Sequence, residues 1–332
     1  MSESKIPLVQ TIDLSIGYSQ DGAELCLFEN LNMALEAGEL VCFMGRNGVG
    51  KSTLIRTVAG LQKPLGGKIV IPKQQAVALV LTDKITATHM SVYDLIAYGR
   101  YPYLNWNISL GQKDHELIDE AIALVHIEPL IRKRLFELSD GQLQMVMIAK
   151  ALAQDTPILL LDEPTAHLDL NNRVEIMNTL RELSQKAGKA ILVATHELDL
   201  ALQTADRIWL ATNDKKITEG IPEDLVLDGS FDEVFQLKGF DLKTGKIHHK
   251  PFRNIAVTLT GDGHDYLWTK NALERAGYLI ENNSPIVIQI NSQVTPTLWS
   301  VTSEKKPNQE FDSLASLLRS LKSFSLRTGR KT

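Results

Sequence analysis

The chain has 332 residues, of which 44% are hydrophobic and 23% charged, with a formal net charge of −5. That length holds one large domain and a small second one, the composition excludes a disordered chain, and the acidic balance argues against a phosphate backbone as partner. No run of about 18 apolar residues occurs and the opening MSESKIPLVQ lacks a basic start before an apolar stretch, so neither a membrane span nor a secretory leader is expected and the chain is expected in the cytoplasm.

Residues 39–43 (ELVCF) read as a short strand leading into a glycine-rich loop and the helical pattern KSTLIRTVAGL. GQLQMVMIAKALAQ (141–154) and NNRVEIMNTLRELSQKAG (171–188) read as helices, and PILLLDEP, KAILVATHE and DRIWLAT as strands buried on both faces. Strands alternating with helices predict a mostly parallel sheet covered on both sides. Cys26 and Cys42 lie in apolar stretches and are expected to be small core residues in a reducing compartment.

The polar, aperiodic KTGKIHHKPFRN places a linker at 244–252 between a domain at 1–243 and a second at 253–332. His248 and His249 in that linker are expected to be solvated, metal binding by the pair being the other reading. In the second domain NIAVTLTG and PIVIQI read as strands, YLWTKNALERAG and FDSLASLLRSLKSF as helices, and SEKKPNQE as a polar connection. Gly261-Asp262-Gly263-His264 is a turn suited either to an anion or simply to chain reversal.

Gly45-Arg46-Asn47-Gly48-Val49-Gly50-Lys51-Ser52-Thr53 fits G-x-x-x-x-G-K-[ST] between a strand and a helix. Glycines let backbone N–H groups converge on phosphate oxygens, Lys51 reaches the outer phosphates, and Ser52 ligates Mg²⁺. Leu159-Leu160-Leu161-Asp162-Glu163-Pro164 follows, with Asp162 placed 111 residues after Lys51. Two acids ending a buried strand require a metal or a donor. Asp162 is expected to hold the metal and Glu163 to orient the attacking water.

Between these motifs lies Leu138-Ser139-Asp140-Gly141-Gln142, beginning a helix, with Ser139 placed 88 residues after Lys51. Together the three resemble the ATP-binding-cassette (ABC) ATPases, whose signature is LSGGQ, over roughly residues 8–235. The resemblance implies an α/β P-loop NTPase of ABC type with a helical subdomain carrying the signature, followed here by a small C-terminal α+β domain. It implies ATP and Mg²⁺ as cofactors and a head-to-tail homodimer, in which Ser139, Gly141 and Gln142 at the start of the helix face the γ-phosphate bound on the partner. Tyr18 resembles the aromatic that stacks on adenine, an ordinary half-buried strand tyrosine being the other reading. Asp169, in Thr165-Ala166-His167-Leu168-Asp169, matches the acid of the loop that signals across the dimer. His196, 33 residues after Glu163, matches the switch histidine that senses the γ-phosphate.

The sequence departs from the family pattern at Asp140, where a second glycine is usual, and at Thr82, where a strand would lead into a glutamine; Gln74 and Gln75 come too early to replace it. Leu143 and Met145 stand where basic residues are common. These departures bear on hydrolytic efficiency and coupling rather than on the nucleotide fold.

Ala97-Tyr98-Gly99-Arg100-Tyr101-Pro102 is similar to importer subunits for ferric siderophores, haem and vitamin B12, in the segment that contacts the permease; helix packing and a helix stop are the competing reading. An interval of 88 residues leaves no room for the coiled coil of cassette ATPases that act on DNA, and a single cassette does not fit the translation branch. The expected protein is therefore an ATPase subunit on the inner face of the membrane. Its partners would be a second copy, permease subunits and a substrate-binding protein, not nucleic acid. The last domain is expected to regulate the motor or stabilise the dimer.

Overall fold

A computed structural model of the chain describes residues 7–20, 23–71, 77–81, 89–104, 106, 109–236, 240–242, 246–247, 251–292, 294, 296–303 and 306–325. Contacts divide the chain into two units, 1–236 and 237–332. The division falls ahead of the boundary expected at 243.

Unit 1 opens with β1 (Val9–Gln20), β2 (Ala23–Leu31), β3 (Ala34–Leu35) and β4 (Leu40–Met44). There follow α1 (Lys51–Val58), β5 (Gly66–Val70), β6 (Val77–Val80), α2 (Val92–Ala97), α3 (Gln112–Leu124) and α4 (Asp140–Leu152). Next come β7 (Ile158–Asp162), α5 (Leu170–Ala187), β8 (Ala190–Ala194), α6 (Leu198–Thr204), β9 (Arg207–Ala211) and β10 (Ile217–Gly220). Two short helices, α7 (Pro222–Leu227) and α8 (Ser230–Phe235), close the unit.

The central sheet has the order β10-β9-β4-β8-β7-β6, parallel except for β10. Every residue of β4, β7 and β8 is buried, which is why these strands read as unalternating apolar runs. Parallel pairing brings their C-terminal ends together on one edge, where open α/β sheets place ligands. An antiparallel sheet of β2, β1, β3 and β5 lies beside them, and Leu14, Ile16 and Phe28 share a core with Phe43, Leu54 and Leu160.

The helices between β6 and β7 pack on one another, α2 and α3 both against α4. A reciprocal cap starts α2: the Ser91 hydroxyl accepts from Asp94 N–H and the Asp94 carboxylate accepts from Ser91 N–H.

Phe240–Asp241 (β11) pairs antiparallel with Lys246–Ile247 (β12), so part of the stretch read as linker is paired; His248 and His249 lie outside the described residues. The remainder of unit 2 comprises β13 (Ala256–Thr260), α9 (Gly263–Arg275), β14 (Leu279–Ile280), β15 (Ile286–Asn291), β16 (Leu298–Ser303), β17 (Lys306–Phe311) and α10 (Leu314–Ser325). Its sheet has the order β14-β13-β15-β16-β17. Val257, Ile288, Trp299 and Val301 on one face form a core with Leu273, Leu317 and Leu321 of the helices.

The stretch SEKKPNQE, read as a polar connection, contributes to β17, and β16 had no sequence signal strong enough to name it. Among the described residues β17 is an edge strand paired on one side only, where Pro307, lacking an N–H, is tolerated. The turn at 261–264 reverses the chain into α9. Gly261 has φ 144°, and a Cβ there would lie 2.9 Å from Ile290 Cβ, so side-chain-free backbone is needed where β15 passes.

Candidate functional site

The loop after β4 is shaped by glycines in the left-handed region. Gly48 has φ 80° and no atom within 4 Å of where a Cβ would stand, which leaves its face open, while a Cβ at Gly50 (φ 114°) would come within 2.8 Å of Leu27. Gly50 caps α1, whose first residues are Lys51, Ser52 and Thr53, so the free N–H groups of that helix face the loop. Arg46 and Asn47 at the tip are exposed, and the Val49 N–H closes the turn onto the Arg46 carbonyl at 3.2 Å. Lys51 is buried and folds back to donate to the Gly45 carbonyl at 3.1 Å. Tyr18 is half exposed, and its hydroxyl sits 2.6 Å from Thr53 Oγ1, which fixes the ring beside the loop's helix.

Across the sheet edge, β7 delivers Asp162 and Glu163. The Ser52 hydroxyl donates to Asp162 Oδ1 at 3.0 Å. Burial pushes the Asp162 carboxyl above its ordinary range; the Ser52 hydrogen bond opposes this and neighbouring Glu163 reinforces it. A buried, anionic oxygen paired with a hydroxyl is a donor set suited to a hard divalent cation that also takes phosphate and water oxygens. Glu163 adopts φ 49°, unusual without glycine, and donates its N–H to the Ala194 carbonyl at 2.8 Å. Its carboxylate then lies between two groups: Oε1 is 3.6 Å from Lys51 Nζ and Oε2 is 2.6 Å from His196 Nδ1. His196 stands just past β8, the neighbouring strand.

Ser139, Gly141, Gln142 and Asp169 form a separate cluster. Ser139 caps α4: its hydroxyl accepts from Gln142 N–H at 3.3 Å, and Gln142 Oε1 accepts from Ser139 N–H at 3.2 Å. Asp169 caps α5, accepting from the N–H of Asn172 at 2.9 Å and from its side-chain amide at 3.0 Å. The two helix starts meet at Gly141, where a Cβ would lie 2.5 Å from Asn172. Among the described residues, no hydrogen bond or ion pair joins this cluster to the loop at 45–53.

The family described as ABC transporter matches residues 28–166, and the family described as iron ABC transporter C-terminal domain matches residues 254–322. An uncharacterized ABC transporter ATP-binding protein of Methanocaldococcus jannaschii is 34% identical over 301 residues, spanning 85% of this chain and 99% of that protein. The chain belongs to the ABC transporter ATP-binding family. Other members similar to this ABC subunit include a probable siderophore transport system ATP-binding protein of Bacillus subtilis, 34% identical over 69% of this chain and 86% of its own length. A petrobactin import ATP-binding protein of Bacillus anthracis is 35% identical over 69% and 87%. Among solved structures, a metal-chelate type ABC transporter in an inward-facing conformation superposes with TM-score 0.63 and 26% identity, over 70% of this chain and 90% of that one.

An ABC subunit binds nucleotide and hydrolyses ATP, and its fold is the α/β cassette with a small C-terminal domain. No helix among the described residues is long and apolar enough to cross a membrane. Thr82, Gln74 and Gln75 lie outside the described residues. Asp140 is exposed in the first turn of α4. Leu143 is partly buried and Met145 buried, so apolar packing occupies positions where basic residues are common in the family.

Sequence reading passed over the roles of Gly99 and Arg100 inside the A-Y-G-R-x-P string. A Cβ at Gly99 would lie 2.3 Å from the Lys150 carbonyl oxygen, so the chain crosses α4 in direct backbone contact. Arg100 is buried, pairs with Asp114 at 2.8 Å, donates to the Ala153 carbonyl at 2.9 Å and lies over the Tyr103 ring. Tyr98 and Tyr101 stack at 4.3 Å between ring centres and remain exposed. The string is thus part anchor and part surface. Arg173 and Glu197, which also escaped the sequence reading, form an ion pair behind the site at 2.8 Å.

Proposed function

We propose that this ABC subunit is the motor of an importer for an iron chelate such as a siderophore, with Glu163 as its hydrolytic centre. The observation that supports the motor reading most directly is the Glu163 carboxylate held between Lys51 and His196 at the edge where β4, β7 and β8 end. The substrate class is supported by the C-terminal domain family and by the siderophore and petrobactin relatives.

In this reading the backbone of residues 45–53 and Lys51 cradle the triphosphate, and Tyr18 stacks on the adenine. Ser52 and Asp162 would hold Mg²⁺, which supplies charge neutralisation on the phosphate oxygens. Glu163 accepts a hydrogen bond from water and aims its oxygen at the γ-phosphorus; that oxygen bonds to phosphorus as the bond to the bridging β–γ oxygen breaks, ADP leaves with the electron pair, and the water's proton ends on the released phosphate. His196 fixes the Glu163 carboxylate and reports on the γ-phosphate. Ser139, Gly141, Gln142 and Asp169 serve a second copy's nucleotide, which accounts for their forming a cluster apart from this chain's own loop. The exposed Tyr98 and Tyr101 face a permease at the inner side of the membrane, with a substrate-binding protein on the other side. Nucleic acid has no part in this scheme.

Glu163→Gln tests the proposal. Its ATP turnover is expected to fall about 10²-fold or more, with nucleotide affinity retained. The variant, purified with ATP from gently solubilised membranes, is expected to carry a polytopic permease. Wild-type turnover in the variant would remove Glu163 from the mechanism, and ribosomal or repair proteins in place of a permease would overturn the transport role.

A further inference from the structure

The loops leaving β7 and β8 are joined at two places. Near the loop at 45–53 the Glu163 N–H meets the Ala194 carbonyl and the Glu163 carboxylate meets His196. Behind His196 there is a second joint, made by one side chain. Arg173, on the first turn of α5, donates Nε–H to the Leu168 carbonyl at 2.7 Å and Nη1–H to both carboxylate oxygens of Glu197 at 2.8 and 2.9 Å. Leu168 immediately precedes Asp169, the cap of α5, and Glu197 immediately follows His196. Glu197 is fixed from its other side by its own N–H, which donates to Thr195 Oγ1 at 3.1 Å.

The Arg173–Glu197 pair also bears on His196. Glu197 Oε1 lies 3.9 Å from His196 Nε2, whereas Glu163 Oε2 lies 2.6 Å from Nδ1, so the ring stands between two carboxylates. Arg173 engages the Glu197 carboxylate with both a charge and a planar donor fork. That leaves Glu163 as the hydrogen-bond partner of the imidazole. A lysine has no planar fork with which to meet the Leu168 carbonyl and the carboxylate together.

We propose that Arg173 is a positioning residue for ATP hydrolysis: by clamping Glu197 to the Leu168 carbonyl it aligns His196 on Glu163 and makes the 165–169 loop and the His196 loop move as one piece. The inference rests on the hydrolytic reading of Glu163 and His196. A displacement of the reacting groups by about 1 Å costs up to ~10²-fold in rate without needing a change in binding.

The test is steady-state ATP hydrolysis by the full chain for Arg173→Ala, Arg173→Lys, Glu197→Ala and the double Ala variant, with the affinity of a fluorescent ATP analogue and the melting temperature measured alongside. Arg173→Ala is expected to lower kcat about tenfold or more, with KM and analogue affinity within about twofold. Arg173→Lys should recover part of the rate, and the double variant should lose no more than Arg173→Ala alone, since the two residues act as one joint. Unchanged kcat in Arg173→Ala, a matching loss of analogue affinity, or single-variant losses that multiply in the double variant would each overturn the proposal. Should Arg173→Ala not fold, Glu197→Gln, which keeps the shape and removes the charge, is expected to show the same lowered kcat at constant KM, and wild-type kcat there would overturn it. Glu163→Gln in the same assay separates the two readings. If it is inactive while Arg173→Ala turns over normally, only the positioning role fails; if it turns over normally, the hydrolytic reading itself fails.

Discussion

Asp162 sits at the end of β7 with almost no exposure, and lost hydration raises its carboxyl above the usual carboxylate range despite the hydrogen bond from Ser52. A carboxyl raised in the folded state costs stability at any pH above its unfolded value, and the cost is relieved as pH falls through the folded value. Asp162→Asn is therefore expected to raise the melting temperature of the nucleotide-free protein at neutral pH while abolishing Mg²⁺-dependent hydrolysis. Calorimetry and turnover of the same preparation check both halves; a lower melting temperature would mean that the Ser52 hydrogen bond outweighs the burial. The cysteines give a contrast of position. Cys42 in β4 is buried, with its thiol pushed up to about 12 by burial first and the Asp206 charge second, so it is an inert core residue. Cys26 in β2 is only half buried, so the expectation of a core position holds for one of the two. Both have apolar residues on each side, Leu25 and Leu27 against Val41 and Phe43; the difference lies in β2 being paired, among the described residues, on one side only, with β1.

At the scale of elements, glycine marks two close approaches to α4, one onto its backbone and one against a side chain of α5. Gly99 meets the Lys150 carbonyl and Gly141 meets Asn172, so α4 is held at both ends by residues that tolerate no side chain. Gly99→Ala is expected to destabilise unit 1 by about 1–3 kcal/mol, because neither α4 nor the turn at 98–103 can yield without breaking backbone hydrogen bonds; urea unfolding measures it. Nucleotide affinity should be untouched, since the loop at 45–53 belongs to other elements. In unit 1, β4, β7, β8 and β9 were legible because they are buried almost throughout, and α4 and α5 because they are long; β5 and β10, largely open to solvent, and the short α7 and α8 went unread. In unit 2, β16 and β17 escaped notice because one face of their sheet is polar: Ser300 lies across from Gln289 on one side and Glu310 on the other, which dilutes the apolar signal of Trp299 and Val301.

At the scale of the molecule, the two units have separate cores, one around Phe43, Leu54 and Leu160 and the other around Leu259, Tyr278 and Trp299. Each core is closed by its own helices and sheet. Residues 1–236 and 251–332, expressed separately, are expected each to unfold cooperatively; loss of cooperative unfolding in either fragment would refute independent cores. Residues 45–53, the LLLDEP string and the LSDGQ string were readable from sequence alone because each is contiguous: a strand, turn or helix start specifies its own backbone, and the residue types specify the chemistry. The family followed from their order. What only the tertiary structure decided is which of these residues meet. Lys51, Glu163 and His196 are far apart in the chain, and their convergence depends on β4, β8 and β7 being neighbours in one parallel sheet. The Arg173–Glu197 joint depends on the same strand order, since α5 must return between β7 and β8. Strand order is set by burial of whole elements against one another, and no local run of residues carries it.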